Sequence, residues 1–139
     1  MRPRRLKLRG FITYKDTIEI DFTKLYDKKI FLISGDTGSG KTSIFDAISF
    51  ALYGNVARDI SSVRIRCDFL SEEDPYTYVN LEFDVGARTY RIERIPRQRA
   101  KKTKTGQSIG NAVALFDITE KEILLSEKQG ETDEMIKNI

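Results

Sequence analysis

The sequence predicts an α/β lobe of the α+β kind, in which an N-terminal hairpin and an antiparallel β-meander flank one strand, loop and helix unit. Three observations predict it. Residues 35–42 read Gly-Asp-Thr-Gly-Ser-Gly-Lys-Thr, a complete G-x-x-x-x-G-K-[ST] phosphate loop set between an apolar run and a helical apolar pattern. Stretches of strict apolar and polar alternation lie on both sides of that unit. Finally, 139 residues at 40% apolar content can build one compact domain, but they supply too few strands for the parallel sheet of a self-contained phosphate-loop hydrolase.

Taken in order, Arg5, Lys7 and Arg9 alternate with Leu6 and Leu8, the period of a half-buried strand with both leucines inward. After Gly10, Phe11 and a polar turn at 13–16, residues 17–22 alternate again, so the two segments suit an antiparallel hairpin. A turn at 27–29 leads into Ile30, Phe31, Leu32 and Ile33, an unbroken apolar run that predicts a strand over 30–34 buried on both faces. From Lys41 to about Tyr53, the residues Ile44, Phe45, Ile48, Phe50, Ala51 and Leu52 cover most of a helix circumference, which predicts a buried helix stopped by Gly54.

Residues 55–76 are polar and irregular and predict a long connection. Two alternating segments, 78–85 and 88–95, are joined through Gly86 and Ala87 and predict a hairpin. A Lys/Arg/Gly/Ser-rich stretch occupies 96–110, a third meander strand is expected over 112–118, and a short fourth over 121–125. Met135, Ile136 and Ile139 fall at helical spacing within 131–139, where no capping signal follows, so the chain is expected to stop in mid-element.

Composition narrows the function classes. The formal charge of +3 is too mild to demand a polyanionic partner by itself. The single cysteine, Cys67, excludes an internal disulfide and fits a reducing compartment; without histidine to activate it, it reads as a small buried side chain. No apolar run approaches a membrane span, and the basic N-terminus leads into alternation rather than a signal-peptide core, so a cytoplasmic protein without a membrane partner is expected.

The phosphate loop carries the chemistry. Side chains at Gly35, Gly38 and Gly40 would block the approach of backbone N–H groups to phosphate oxygens. Lys41 is suited to the β- and γ-phosphates, Thr42 to magnesium, and the helix that starts there aims its first N–H groups at the anion. A nucleoside triphosphate with magnesium is the expected ligand.

The order of features adds to this: Leu-Lys-Leu-Arg-Gly-Phe at 6–11, a hairpin closing on Ile-Asp-Phe at 20–22, the phosphate loop, Thr-Ser-Ile-Phe-Asp-Ala-Ile at 42–48, and Ala-Leu-Tyr-Gly at 51–54. It resembles the SbcC family of DNA-repair ATPases, relatives of the SMC proteins, most closely over residues 4–54 and in pattern across the chain. The resemblance implies that residues 1–139 form the N-terminal lobe of a split ABC-type ATPase head, completed after a long coiled coil by a C-terminal lobe. It implies ATP and magnesium as cofactors, and ATP-driven pairing with a second copy of the head. The implied partners are an SbcD-like nuclease and DNA, in a nucleoid-associated setting.

Carried over residue by residue, Thr37, Gly38, Ser39, Gly40, Lys41, Thr42 and Ser43 match the phosphate-contacting positions, with Asp36 in a variable slot of the loop. Lys41 is the candidate catalytic residue and Thr42 the candidate metal ligand. Ile12 stands where relatives often carry a basic residue close to the nucleotide, and Arg58 and Asp59 lie near where relatives approach the adenine. Asp46 matches an aspartate of the family helix, with a plain surface carboxylate as the alternative.

Two motifs imitate catalytic parts. Val113-Ala114-Leu115-Phe116-Asp117 looks like a Walker B strand, but Ile118 stands where a catalytic carboxylate belongs and the preceding hairpin makes it a meander strand. Gln129 and Gly130 imitate a glutamine loop without its apolar strand. The resemblance puts the true Walker B far downstream, so hydrolysis is expected of the complete head rather than of this lobe.

Arg94, Arg97, Arg99, Lys101, Lys102 and Lys104 follow one another without an intervening acid, and Arg97 to Lys104 are candidates for DNA phosphates; Arg2, Arg4, Arg5, Lys7 and Arg9 form a second patch. The rival readings are a self-contained small kinase or GTPase and a nucleic-acid-binding module switched by ATP. Neither the Asp-x-x-Gly nor the Asn-Lys-x-Asp motif of a GTPase is present.

Overall fold

A computed structural model of the chain describes residues 1–28, 30, 32–56, 65–99 and 108–139. Alternation produces its main feature. Strands β1 (Arg2–Arg9), β2 (Ile18–Asp21), β3 (Tyr78–Val85), β4 (Arg88–Ile95), β7 (Ala112–Asp117) and β8 (Ile123–Ser126) form one six-stranded sheet in the order β2-β1-β3-β4-β7-β8. Every pairing is antiparallel. The hairpin turn at Gly86 takes a left-handed conformation, as a tight two-residue connection requires. Strands β5 (Gln98–Arg99) and β6 (Ser108–Ile109) pair separately.

One face of the sheet is apolar because alternate residues of each strand, Leu6 and Leu8, Val79, Leu81 and Phe83, Tyr90 and Ile92, Val113 and Leu115, are brought to the same side by the register. Helix α1 (Lys41–Tyr53) covers it through Ile44, Ala47, Phe50, Ala51 and Leu52, and α2 (Gln129–Asn138) adds Ile136. The opposite face carries charge pairs such as Arg5 with Glu19 at 3.2 Å and Arg91 with Glu93 and Glu122, both at 2.9 Å. These outer pairs sit in water and contribute little each.

Several expectations change here. Residues 30, 32, 33 and 34 belong to no β ladder among the described residues, so the strand before the phosphate loop is not buried on both faces. Ile30 and Leu32 are 88% and 86% exposed, whereas Ile33 packs on the core. An unbroken apolar run becomes a central strand only when strands flank it, and among the described residues no strand pairs with this one. Helix α1 is likewise buried on one side rather than all round, because Phe45 and Tyr53 stay 58% and 54% exposed. The expected fourth strand and last helix are present with shifted ends, as β8 and α2. No helix of the described residues is long and apolar enough to cross a membrane.

Candidate nucleotide site

The loop over 35–40 runs straight into α1. Gly38 and Gly40 take left-handed backbone conformations, with φ of 87° and 90°, which a residue with a side chain would adopt only at a cost. Gly40 is the N-cap residue, and no side chain caps the helix there. The first N–H groups of a helix have no partner inside it, so this end presents donors and the positive end of the helix dipole to a ligand.

Lys41 arches back over the loop. Its Nζ donates to the carbonyls of Gly35 at 2.5 Å and Asp36 at 2.7 Å and approaches Ser39 Oγ at 3.4 Å. The ammonium is thereby held beside the loop backbone, where an incoming phosphate exchanges carbonyl dipoles for a full negative charge. Asp36, Thr37, Gly38, Ser39 and Thr42 are exposed. Ser43 is different: it is 2% exposed and its Oγ accepts a bond from Thr13 Oγ1 at 3.2 Å.

Among the described residues no group of three or more acidic, Cys or His side chains could hold a metal ion unaided. The donor set fits a magnesium ion that arrives with phosphate oxygens and takes one hydroxyl, that of Thr42, from the protein. The glycine cradle and the uncapped helix fit the phosphates themselves.

The remaining candidates separate. Arg58, Asp59, Lys101, Lys102 and Lys104 lie outside the described residues, and of Arg99 only the backbone, in β5, is described. Arg97 is exposed, and its backbone N–H donates to Asn111 Oδ1 at 2.6 Å. Asp46 is 1% exposed, which removes the surface-carboxylate alternative. Cys67 is buried, in agreement with its sequence reading.

Arg94 leaves the basic stretch altogether. It is 3% exposed on the inner face of β4 and donates to the carbonyls of Ala51 at 2.7 Å and Leu52 at 3.1 Å, while Asp133 accepts a further bond. The parity of Tyr90 and Ile92 points to this position, a signal that counting basic residues overrides. In the second patch Arg2 lies 3.3 Å over the Tyr26 ring, Arg4 pairs with Asp84 at 3.2 Å, and Arg5 pairs with Glu19.

Both imitations resolve. Asp117 lies in an antiparallel meander strand, where its Oδ1 accepts the backbone N–H of Thr119 at 2.9 Å. Those Thr119 bonds hold its carboxyl below the usual range. Gln129 opens α2 beside Gly54, at the end of α1 opposite the phosphate loop. Thirteen helical residues separate those ends by about 20 Å.

Comparison with known proteins agrees with this geometry. Residues 5–139 match the family described as the AAA domain. The chain belongs to that family. It is 47% identical over 98 residues to the probable DNA double-strand break repair Rad50 ATPase of Aquifex aeolicus, covering 70% of this chain and 10% of that protein. It is 43% identical over 105 residues to the SbcC component of the nuclease SbcCD from Vibrio cholerae, covering 75% and 10% respectively. Against the same component from Lactococcus lactis the identity is 37% over 122 residues, covering 87% and 12%. The resemblance to the SbcC family therefore holds, and the chain is an N-terminal ATPase lobe of that family. It spans about a tenth of the length of these relatives.

Proposed function

We propose that this chain is the ATP-binding half of a split ABC-type head that serves DNA double-strand-break repair. Lys41 and the first N–H groups of α1 neutralise and orient the β- and γ-phosphates, and Thr42 completes the magnesium shell. Bound magnesium supplies charge neutralisation on the transferring phosphoryl group. A C-terminal lobe contributes Walker B, a second head caps the nucleotide, and an SbcD-like nuclease and DNA are the further partners.

The observation that carries this reading is the pairing of a complete phosphate loop with an incomplete sheet. Ile30 and Leu32 stand out at 88% and 86% exposure directly before the loop, and Phe45 and Tyr53 do so along α1. Exposed apolar side chains of this kind beside a ligand loop point to an interaction face. A flanking strand from the C-terminal lobe would give residues 30–34 their ladder partners and cover these side chains. DNA contact is assigned to the stretch containing Arg97, Arg99, Lys101, Lys102 and Lys104, with Arg94 excluded by its burial.

ATP turnover tests the proposal. The lobe alone is expected to bind ATP without sustained turnover, and addition of the C-terminal lobe is expected to restore it. Lys41→Ala, which removes a charge-assisted contact, should lower ATP affinity by about 10- to 100-fold and abolish head pairing. Robust turnover by the lobe alone would favour a self-contained kinase or GTPase. For DNA, removing Arg97 should reduce the salt slope of binding by about one if it meets a phosphate.

A further inference from the structure

The phosphate loop is gripped from outside by a short turn that the nucleotide chemistry does not use. After β1 the chain reverses through Gly10 and Phe11, and Phe11 is fully buried with its ring 5.7 Å from that of Phe50 in α1. Ile12 then takes φ of 50°, a left-handed conformation that is a genuine outlier for a β-branched residue. Such a conformation persists only where its surroundings over-determine it. Here the Ile12 N–H donates to Ile65 O at 2.8 Å, the Cys67 N–H and Thr77 Oγ1 donate to Gly10 O at 2.7 and 2.9 Å, and the Tyr14 N–H closes onto Phe11 O at 2.9 Å.

The fixed turn presents two hydroxyls to the start of α1. Tyr14 Oη donates to the Gly40 carbonyl at 3.1 Å, and Thr13 Oγ1 donates to Ser43 Oγ at 3.2 Å. The Gly40 carbonyl also accepts the first helical bond, from Ile44 N–H at 3.3 Å. A Cβ on Gly40 would lie 2.8 Å from Tyr14 Oη and 2.9 Å from Thr13 Oγ1, so the glycine is needed for this approach as well as for its φ. Burial pushes the Tyr14 phenol above its ordinary pKa, and a phenol is a protonated donor at neutral pH with or without that shift.

We propose that Thr13 and Tyr14 are positioning residues for the phosphate loop: their hydroxyls clamp Gly40 and Ser43 and so set the direction in which the uncapped N–H groups of α1 point. The proposal rests on phosphate binding at that loop. Because those N–H groups are fixed in direction, a small rotation of the first turn misaims several of them at once, and the loss falls on phosphate affinity rather than on folding.

The test is equilibrium binding of magnesium-ATP and of inorganic triphosphate to this chain, with melting temperature measured alongside. Tyr14→Phe is expected to weaken both ligands by about tenfold, the effect of one misdirected hydrogen-bonding group. Thr13→Val is expected to weaken both by a smaller factor, and Thr13→Ser, which keeps the hydroxyl, to restore wild-type affinity. Wild-type affinity in both Tyr14→Phe and Thr13→Val would overturn the proposal. Should Tyr14→Phe unfold the lobe, the Val and Ser pair at exposed Thr13 decides alone: loss with rescue supports positioning, and equal affinities refute it. Lys41→Ala separates the two levels of inference, since binding that survives that substitution removes the phosphate site itself.

Discussion

The two ends of α1 are treated in opposite ways. At the C-terminal end, the Gly54 N–H donates to Phe50 O at 2.8 Å, and the buried Arg94 guanidinium covers the carbonyls of Ala51 and Leu52 and ties them to Asp133 of α2. At the N-terminal end no side chain caps the helix; Tyr14 and Thr13 hold the Gly40 carbonyl and the Ser43 hydroxyl, and Lys41 folds back onto the loop carbonyls. The protein thus satisfies the negative end of the dipole internally and leaves the positive end for an anion. A helix treated in this way is locked at one end and leaves its first N–H groups uncapped at the other.

The largest expected effect breaks the closed end. Arg94→Met keeps the apolar stem but leaves two buried carbonyls and the Asp133 carboxylate without their donor, and such a loss costs about 3 kcal/mol. Urea unfolding of the lobe measures it. If the variant loses less than a third of that, the C-terminal lock is decorative and the contrast between the ends fails. ATP affinity measured where the variant is folded should stay close to wild type, because the change is about 20 Å from the loop.

Gly54→Ala probes the same end more gently. With φ of 74° the position is left-handed, and the added Cβ would sit 3.1 Å from Arg94 Nη1. The backbone term alone is about 1–2 kcal/mol. Combining it with Arg94→Met sharpens the comparison: a double-mutant cycle should show the two effects to be less than additive, since the crowding disappears with the guanidinium. Strict additivity would mean that Gly54 acts on the backbone only.

The strands and α1 are legible because alternation and helical spacing are local signals: β3 and β4 have the ends read from sequence, and so does α1. What is misread depends on neighbours. Residues 30–34 carry the pattern of a central strand, but that pattern records a requirement for burial and does not say which chain supplies the cover. Arg94 counts by charge with the basic residues after it, although its parity with Tyr90 and Ile92 puts it inside. The clamp by Thr13 and Tyr14 is invisible for a different reason: its partners are 30 and 26 residues away, and no periodicity reports such a contact. Of the candidate site, the loop residues 35–42 are readable from their types and spacing, whereas the Thr13 and Tyr14 contacts with the loop are known only from the fold.

The smallest effect belongs to an ion pair on the outer face, and it asks whether burial is what makes the Arg94 lock strong. Asp84 meets Arg4 at 3.2 Å, with side chains 21% and 41% exposed. Burial acts to raise its carboxyl pKa, but hydrogen bonds from Thr89 and Arg4, the Arg4 charge and the Tyr26 hydroxyl outweigh it, and the carboxyl is held below its ordinary value. A carboxyl depressed in the folded state adds stability that is present above its unfolded pKa of about 4 and is lost as pH falls through the lower folded value. Solvent screening limits that contribution to about 1 kcal/mol or less. Asp84→Asn should therefore cost little at neutral pH, and the acid-side slope of stability should flatten relative to wild type, with the two proteins converging once Asp84 is protonated. A neutral-pH loss as large as that of Arg94→Met would show that exposure does not separate the two arginine pairs, and the strength of the closed end of α1 would need a cause other than its burial.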